Sequence, residues 1–135
     1  MKRTFIALVA PAMLASCATA SVEAPQSIAS QSTDGIARAA LGQRVYVDGP
    51  QVTPLEVLED SRCPASTMCV WAGRVRLSVK IDLGSGSQIR EIATDDPIQV
   101  ADGQLSLVEV TPGRQKPDII EPADYRFGFR FAGGI

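Results

Sequence analysis

The sequence contains no histidine and few aromatic residues: one tryptophan, two tyrosines and four phenylalanines. Histidine is the commonest general base and a frequent zinc ligand. Its absence excludes Ser-His-Asp and Cys-His catalytic arrangements. A phosphate-binding loop is also missing, because the Gly-Ser-rich stretch at 84–88 lacks the lysine that such a loop needs. Asp60, Asp95 and Asp96 remain as acid–base candidates, but an Asp-Asp pair directly before Pro97 is typical of a polar turn. We therefore predict a protein that is not an enzyme and has no cofactor or metal.

The chain also lacks an excess of positive charge. It has 13 basic and 15 acidic residues. Removal of residues 1–16 would take away Lys2 and Arg3 and no acidic residue, leaving 11 basic and 15 acidic side chains, a net charge of −4. Nucleic-acid binding needs a basic footprint, so we expect no nucleic-acid partner.

The clearest long apolar run is at the amino terminus, from Thr4 to Leu14. It follows Met1-Lys2-Arg3 and is too short for a membrane-spanning helix, which needs about 20 apolar residues. This pattern is typical of a secretory signal peptide. We assign residues 1–16 to the signal, residues 17–40 to a tether poor in large apolar side chains, and residues 41–135 to a folded domain.

The residues that end this run, Leu14-Ala15-Ser16-Cys17, resemble the bacterial lipobox. In proteins with that motif the chain is cut before the cysteine, which is then acylated. The resemblance implies that Cys17 is a lipid anchor in the cell envelope. Since Ala18 is not the aspartate that often retains such proteins at the inner membrane, it favours the outer membrane, facing the periplasm. The alternative is an ordinary signal peptide cleaved after Ala18 or Ala20.

Three cysteines are an odd number for an exported chain. If Cys17 is acylated, Cys63 and Cys69 remain as a pair in an oxidising compartment, and we expect a disulfide that fixes the start of the following strand. The alternative is a soft-metal site in which both thiolates and the Met68 thioether hold Cu(I).

From residue 42 onward, apolar and polar side chains alternate in short runs separated by turns. Residues 74–83 and 124–132 alternate most clearly, and the second run supplies three of the four phenylalanines to one face. Residues 52–59 are a candidate strand that Pro54 marks as an edge strand or an irregular lead-in. The spacing predicts an all-β fold, a small antiparallel sandwich or barrel of about seven strands with one disulfide.

The segment 60–73, DSRCPASTMCVWAG, carries the candidate site residues. Trp71 lies two positions after Cys69, so we expect it to pack on the disulfide as a core anchor; the alternative is an exposed binding ring. Arg62 could pair with Asp60 or with another carboxylate, and Asp60 could itself cap the turn. We take Arg62, Thr67, Met68 and Trp71 as possible binding residues.

Residues 59–73 resemble the signature of a group of small uncharacterised bacterial lipoproteins and secreted proteins. These proteins share DSRCP, four residues, then C-[VI]-W-x-G and an alternating strand. They also tend to end in a strand that starts near a tyrosine, as Asp124-Tyr125-Arg126 does here. The resemblance implies no particular activity.

Four functions remain open from the sequence, and the most remote is a sugar- or lipid-binding enzyme, which would need a pocket with converging carboxylates. The first is a lipid-anchored envelope domain that binds a protein partner or has a structural role. The second is a protease inhibitor that presents the Cys63–Cys69 loop, which exposure of that loop would favour. The third is a copper-binding protein, which an intact disulfide would nearly exclude.

Overall fold

The computed structural model describes residues 33–114 and 119–134, and this part of the chain is almost entirely β-structure. The predicted signal peptide, the lipid anchor at Cys17 and most of the predicted tether lie outside the described residues. One 3-10 turn spans Pro122–Asp124. In the described residues no helix is long and apolar enough to cross a membrane. The strands are β1 (Ala37–Ala39), β2 (Val45–Tyr46), β3 (Gln51–Asp60), β4 (Val75–Leu83), β5 (Gly86–Ala93), β6 (Ile98–Val100), β7 (Gly103–Thr111) and β8 (Arg126–Gly133).

The strands form two antiparallel sheets of four, in the orders β2-β3-β4-β5 and β1-β8-β7-β6. The prediction of an all-β sandwich is confirmed, with eight described strands rather than about seven. The additional strand is β1, which pairs with β8 and begins before the domain boundary predicted at residue 41. Alanine has a weak strand preference, so the pairing with β8, rather than the local sequence, makes this segment a strand.

The core lies between the two sheets. In β4 the inward residues Val75, Leu77, Val79 and Ile81 are fully buried, as their alternation predicts. The C-terminal strand contributes Phe127 and Phe129, both fully buried, while Phe131 is partly buried against the same core. Tyr125, directly before β8, is also buried and stacks on Phe127 with ring centroids 5.5 Å apart. These four rings confirm the predicted aromatic face.

Of the two alternatives predicted for β3, the edge position is wrong and the irregular strand is observed. It lies between β2 and β4, although β2 covers only its first two residues. The carbonyl of Pro54 accepts a hydrogen bond from Gly42 N at 2.7 Å, on the side away from β4. The proline nitrogen therefore faces the side where no ladder bond to β4 is lost. Pairing with β4 is interrupted by bulges after Pro54 and Val57, which leave Leu55 and Leu58 partly exposed.

The two ends of the sandwich differ. At one end, two-residue turns connect β4 to β5 and β6 to β7 and close the ladders at Leu83–Gly86 and Val100–Gly103. At the other end lie the long connection from β3 to β4 and the connection from β7 to β8. The fold therefore places the cysteine-rich segment at the end opposite the tight turns.

Candidate functional site

The cysteine-rich segment is a long loop on the β3–β4 hairpin, and its stem is a continuation of the ladder. Asp60 pairs with Val75. Beyond this pair, Ser61 N donates to Arg74 O at 2.9 Å, and Arg74 N donates to Ser61 Oγ at 3.0 Å. Residues 62–73, which we call the β3–β4 loop, project past this stem.

Gly73 is the position where the returning chain passes closest to the outgoing chain. Its φ is +66°, and a Cβ atom there would overlap the carbonyl of Ser61 and approach Arg62 Cα to 2.9 Å. Only glycine combines this backbone angle with this contact.

The loop is closed by the predicted disulfide between Cys63 and Cys69, with Cα atoms 6.0 Å apart. Within it, Thr67 N donates to Pro64 O at 2.9 Å and forms a turn. Ala65 N donates to Arg114 O at 3.1 Å, which ties the loop to the β7–β8 connection. The loop is therefore held by a covalent bond and by backbone hydrogen bonds.

A polar cluster beneath the loop fixes its orientation. The Asp60 carboxylate accepts hydrogen bonds from Arg62 Nε at 2.9 Å, Arg62 Nη2 at 2.8 Å and the Tyr125 hydroxyl at 2.8 Å. Arg62 Nη1 donates to Val110 O at 3.0 Å, and Arg114 Nη1 donates to Asp60 O at 3.0 Å. We call these groups the Asp60 cluster; they join the loop, β7 and the start of β8.

The electrostatics of the Asp60 cluster are those of a charged pair that is mostly removed from water. Burial acts to raise the pKa of Asp60, but the hydrogen bonds from Arg62 and Tyr125 outweigh it and hold the pKa below its ordinary value. Burial, together with the hydrogen bond to Asp60, raises the pKa of Tyr125 to about 12. Arg62 N also donates to Asp60 Oδ1 at 3.3 Å, which confirms the expected turn cap and the expected Arg62–Asp60 pair.

The far side of the loop carries three large apolar side chains in solvent. Met68 is fully exposed, Val70 is 91% exposed and Trp71 is 83% exposed. We call these three residues the apolar tip. Isolated exposed apolar residues are common on proteins, but three of them within four consecutive positions on one anchored loop form a surface feature that requires an explanation.

The prediction that Trp71 is a core anchor packed on the disulfide is wrong. It assumed that the strand had begun by Cys69, so that alternation would turn Trp71 inward. The backbone instead bends at Val70 and Trp71, and β4 begins only at Val75. The core consists of Phe127 and Phe129 of β8 together with aliphatic side chains from both sheets, and the tryptophan is left outside.

The predicted binding residues therefore separate into two groups. Met68 and Trp71 belong to the exposed tip, while Arg62 lies in the supporting cluster and Thr67 is partly buried in the turn. The sequence reasoning missed Val70 as a tip residue. The run Met68-Cys69-Val70-Trp71 is the signal that could have identified it, because large apolar residues on successive positions cannot all face a core from one strand.

Metal ligands and a cavity beside β4 and β5 were considered as further candidate sites among the described residues. Among them, no group of three or more Asp, Glu or Cys side chains could hold a metal ion. The disulfide also leaves no thiolate at Cys63 or Cys69 for Cu(I). A shallow cavity of about 230 Å³ beside β4 and β5 is lined by Arg74, Arg76, Glu91, Ile92, Ala93 and Asp96. Its two arginines form ion pairs with Glu59, Glu91 and Asp95.

Comparison of the chain with protein-family models, curated proteins and solved structures finds no match.

Proposed function

We propose that this protein is a lipid-anchored domain of the bacterial cell envelope that binds a partner protein through the apolar tip Met68, Val70 and Trp71. In this proposal Cys17 carries the acyl groups, the anchor is in the outer membrane facing the periplasm, and the domain acts by binding rather than by catalysis. The observation that carries the proposal is the exposure of three large apolar side chains on a loop that the disulfide and the Asp60 cluster hold in place.

The chemistry of the tip suits a protein interface. Tryptophan and methionine are enriched at the centres of such interfaces, and tryptophan is among the residues that contribute most to affinity. A buried tryptophan covers about 150–250 Å², which at about 25 cal/mol per Å² corresponds to roughly 4–6 kcal/mol before the cost of association is subtracted. A loop that is already ordered also loses less conformational entropy on binding.

The direction of β1 supports a tip that is remote from the proposed anchor. Strand β1 runs antiparallel to β8, with Ala37 opposite Phe129 and Ala39 opposite Phe127. The chain that arrives from Cys17 therefore enters β1 on the side nearer the tight turns, and it runs toward the end that carries the β3–β4 loop. If Cys17 is acylated as proposed, a tip at this end can reach a partner in the periplasm.

Photo-crosslinking in intact envelope tests this proposal. A photoreactive residue is placed at position 70 or 71 of the full-length chain, with Ser85 as the matched control, because Ser85 is also exposed but lies in the turn at the opposite end. We expect one protein to be crosslinked from the tip and not from position 85. Trp71→Ala should weaken its binding by at least about 2 kcal/mol, or roughly 30-fold in Kd.

The result can contradict the proposal in two ways. Equal crosslinking from the tip and from position 85 would indicate random collision, and unchanged affinity of Trp71→Ala would show that the tip is not the binding surface. The anchor is tested separately. A Cys17→Ser chain should lose incorporation of labelled palmitate and fractionate away from the membrane, and retention of either property would refute acylation at Cys17.

Protease inhibition is the second candidate, and the full exposure of Met68 on a disulfide-closed loop favours it. Inhibitors that imitate substrates hold several residues in an extended conformation. Here the backbone bends at Thr67, Val70 and Trp71, and only Met68 and Cys69 lie between the bends. We therefore rank it second. Stoichiometric inhibition of a protease whose identity changes with Met68→Lys would reverse that order.

A further inference from the structure

Strand β5 is a long strand with an open outer edge. In the described part of the chain, no strand pairs with the side of β5 that faces away from β4, and residues Gly86 to Glu91 are exposed on both faces of the sheet. The other strands at sheet edges, β1, β2 and β6, have only two or three residues. Proteins usually shorten, bulge or cover such an edge, but β5 pairs with β4 over eight residues without a register shift.

The turn between β4 and β5 determines which backbone groups face the open side. Leu83 and Gly86 flank a two-residue turn, so they form a hydrogen-bonded pair and Gly86 directs its polar groups toward β4. Every second residue after Gly86 does the same. Ser87, Ile89 and Glu91 therefore direct their N–H and C=O groups outward. Ala93, next in that series, confirms this direction, because its carbonyl accepts a bond from Asp96 N at 3.2 Å on the outer side.

We propose that β5 pairs antiparallel with β5 of a second copy of this chain, about a two-fold axis that passes between the two Ile89 residues. Each Ile89 then lies opposite its symmetry mate, each Ser87 lies opposite Glu91 of the other copy, and each Gln88 lies opposite Arg90 of the other copy. The outward-facing groups form about six backbone hydrogen bonds across the axis. The sheet that contains β5 becomes continuous through both copies.

The charges on β5 select this register. Facing residues must share one face of the sheet, so the register can shift only in steps that keep the alternation. Moving the axis to Arg90 sets two arginines opposite each other, and moving it to Glu91 sets two glutamates opposite each other, both of which are unfavourable. Moving it to Gln88 leaves Glu91 beyond the end of the partner strand. An axis at Ile89 instead places the Gln88 amide opposite the Arg90 guanidinium, and the Ser87 hydroxyl opposite the Glu91 carboxylate.

Side-chain burial supports the same axis. Ile89 is 66% exposed on the outer face of the sheet, next to Lys80 of β4. Pairing at Ile89 brings two such side chains together across the strands, where β-branched pairs stabilise a sheet. The inward-facing Gln88 and Arg90 are also exposed, so the opposing sheet does not obstruct a second copy at this edge.

The expected association is weak in solution. An edge formed by one pair of strands buries less than the roughly 1,000 Å² that a stable interface needs. Two copies confined to one membrane meet at a much higher effective concentration. The pairing itself is independent of the β3–β4 loop, and only its strength on the membrane rests on the proposed anchor at Cys17.

Disulfide crosslinking of full-length chains in their membrane tests the pairing. Ile89→Cys places the two introduced thiols opposite each other, at a Cα separation of about 5.5 Å that a disulfide can bridge. Ser87→Cys is the matched control, because its own symmetry mate would lie about 14 Å away along the strand. After mild oxidation we expect dimers of Ile89→Cys and several-fold fewer of Ser87→Cys, with the new bond assigned by mass spectrometry.

Two further variants complete the test. Adding Glu91→Cys to Ser87→Cys should restore crosslinking, because those positions face each other in the proposed register. Ile89→Pro removes an N–H that faces the open edge and not β4, so the domain should keep its melting temperature while the Ser87→Cys, Glu91→Cys chain loses its crosslink. A Trp71→Ala background should leave all these results unchanged, which separates this proposal from the proposed function.

The proposal is overturned by equal crosslinking of Ile89→Cys and Ser87→Cys, or by a crosslink that persists in Ile89→Pro. A bond from residue 89 to a different protein, or to the N-terminal segment of the same chain, would also overturn it, since the occupant of the edge would then not be a second copy.

Discussion

Substitution of Asp60 by asparagine is the most informative change to the loop support. The Asp60 carboxylate accepts three side-chain hydrogen bonds, two from Arg62 and one from Tyr125, and its side chain is only 12% exposed. Asparagine has one acceptor oxygen and no charge, so it cannot satisfy all three donors.

The magnitude follows from these contacts. Hydrogen bonds to charged groups contribute about 1.5–3 kcal/mol each, and breaking a buried ion pair costs about 3–5 kcal/mol. Because the cluster is not completely buried, we expect Asp60→Asn to lower the free energy of unfolding by about 3 kcal/mol. For a domain of this size that corresponds to a fall in Tm of roughly 12–24 °C.

Urea denaturation and differential scanning calorimetry measure this change, with Asp95→Asn as the control. The Asp95 side chain is largely exposed, and its nearest cation, Arg74, lies 3.8 Å away, so its substitution should alter stability by less than about 0.5 kcal/mol. Equal effects of the two substitutions would refute the reasoning that the Asp60 cluster holds the loop.

The same network has a signature at low pH. The pKa of Asp60 is lowered in the folded protein. The ionised carboxylate therefore contributes to the free energy of unfolding above its ordinary pKa of about 3.9, and this contribution is lost as the pH falls below that value. The stability difference between wild type and Asp60→Asn should therefore decrease as pH falls below about 4.

The remaining predictions concern the disulfide, Gly73 and Tyr125. Replacing Cys63 and Cys69 by serine should lower the free energy of unfolding by about 2 kcal/mol, because the unfolded chain gains the entropy that closure of so short a loop removes. A much larger loss in urea denaturation would show that the bond also supports the core. Gly73→Ala should lower the free energy of unfolding by more than about 2 kcal/mol, because φ is positive there and a Cβ overlaps the Ser61 carbonyl. Gly113→Ala is the control, because a Cβ at that position meets nothing within 4 Å. Similar melting temperatures for the two variants would contradict the close approach. The pKa of Tyr125 is raised to about 12 in the folded protein, whereas the phenol of the unfolded chain ionises at about pH 10. The contribution of Tyr125 to the free energy of unfolding is therefore complete below about pH 10 and is lost between about pH 10 and 12. Tyr125→Phe should lack that fall in denaturation series, and spectrophotometric titration near 295 nm should show the late-ionising phenol only in the wild type.

Much of the fold could be predicted because local patterns determine it. Alternation in β4 and β8 and the pair Cys63–Cys69 are each visible within about ten residues of sequence, and the structure confirms each of them. Strand β1 could not be predicted, since a three-residue segment with two alanines has no pattern of its own and becomes a strand only by pairing with β8. Nor could the interior position of β3, because Pro54 indicated an edge until the direction of its nitrogen was known.

The candidate site shows the same division. The sequence identified the segment and the Arg62–Asp60 pair, which are local, but not the exposure of Trp71 or the contacts of Tyr125 and Arg114, which join residues far apart in the chain.

By itself, the sequence predicted an all-β fold, the faces of its most regular strands and, as the favoured alternative, a bond between Cys63 and Cys69. Only the tertiary structure decided which apolar side chains are covered, because burial depends on the elements that reach a given side chain from elsewhere. The rings of β8 occupy the space between the sheets, the bonds of the Asp60 cluster hold the β3–β4 loop at one end, and the same tryptophan that would fit a core is left in solvent.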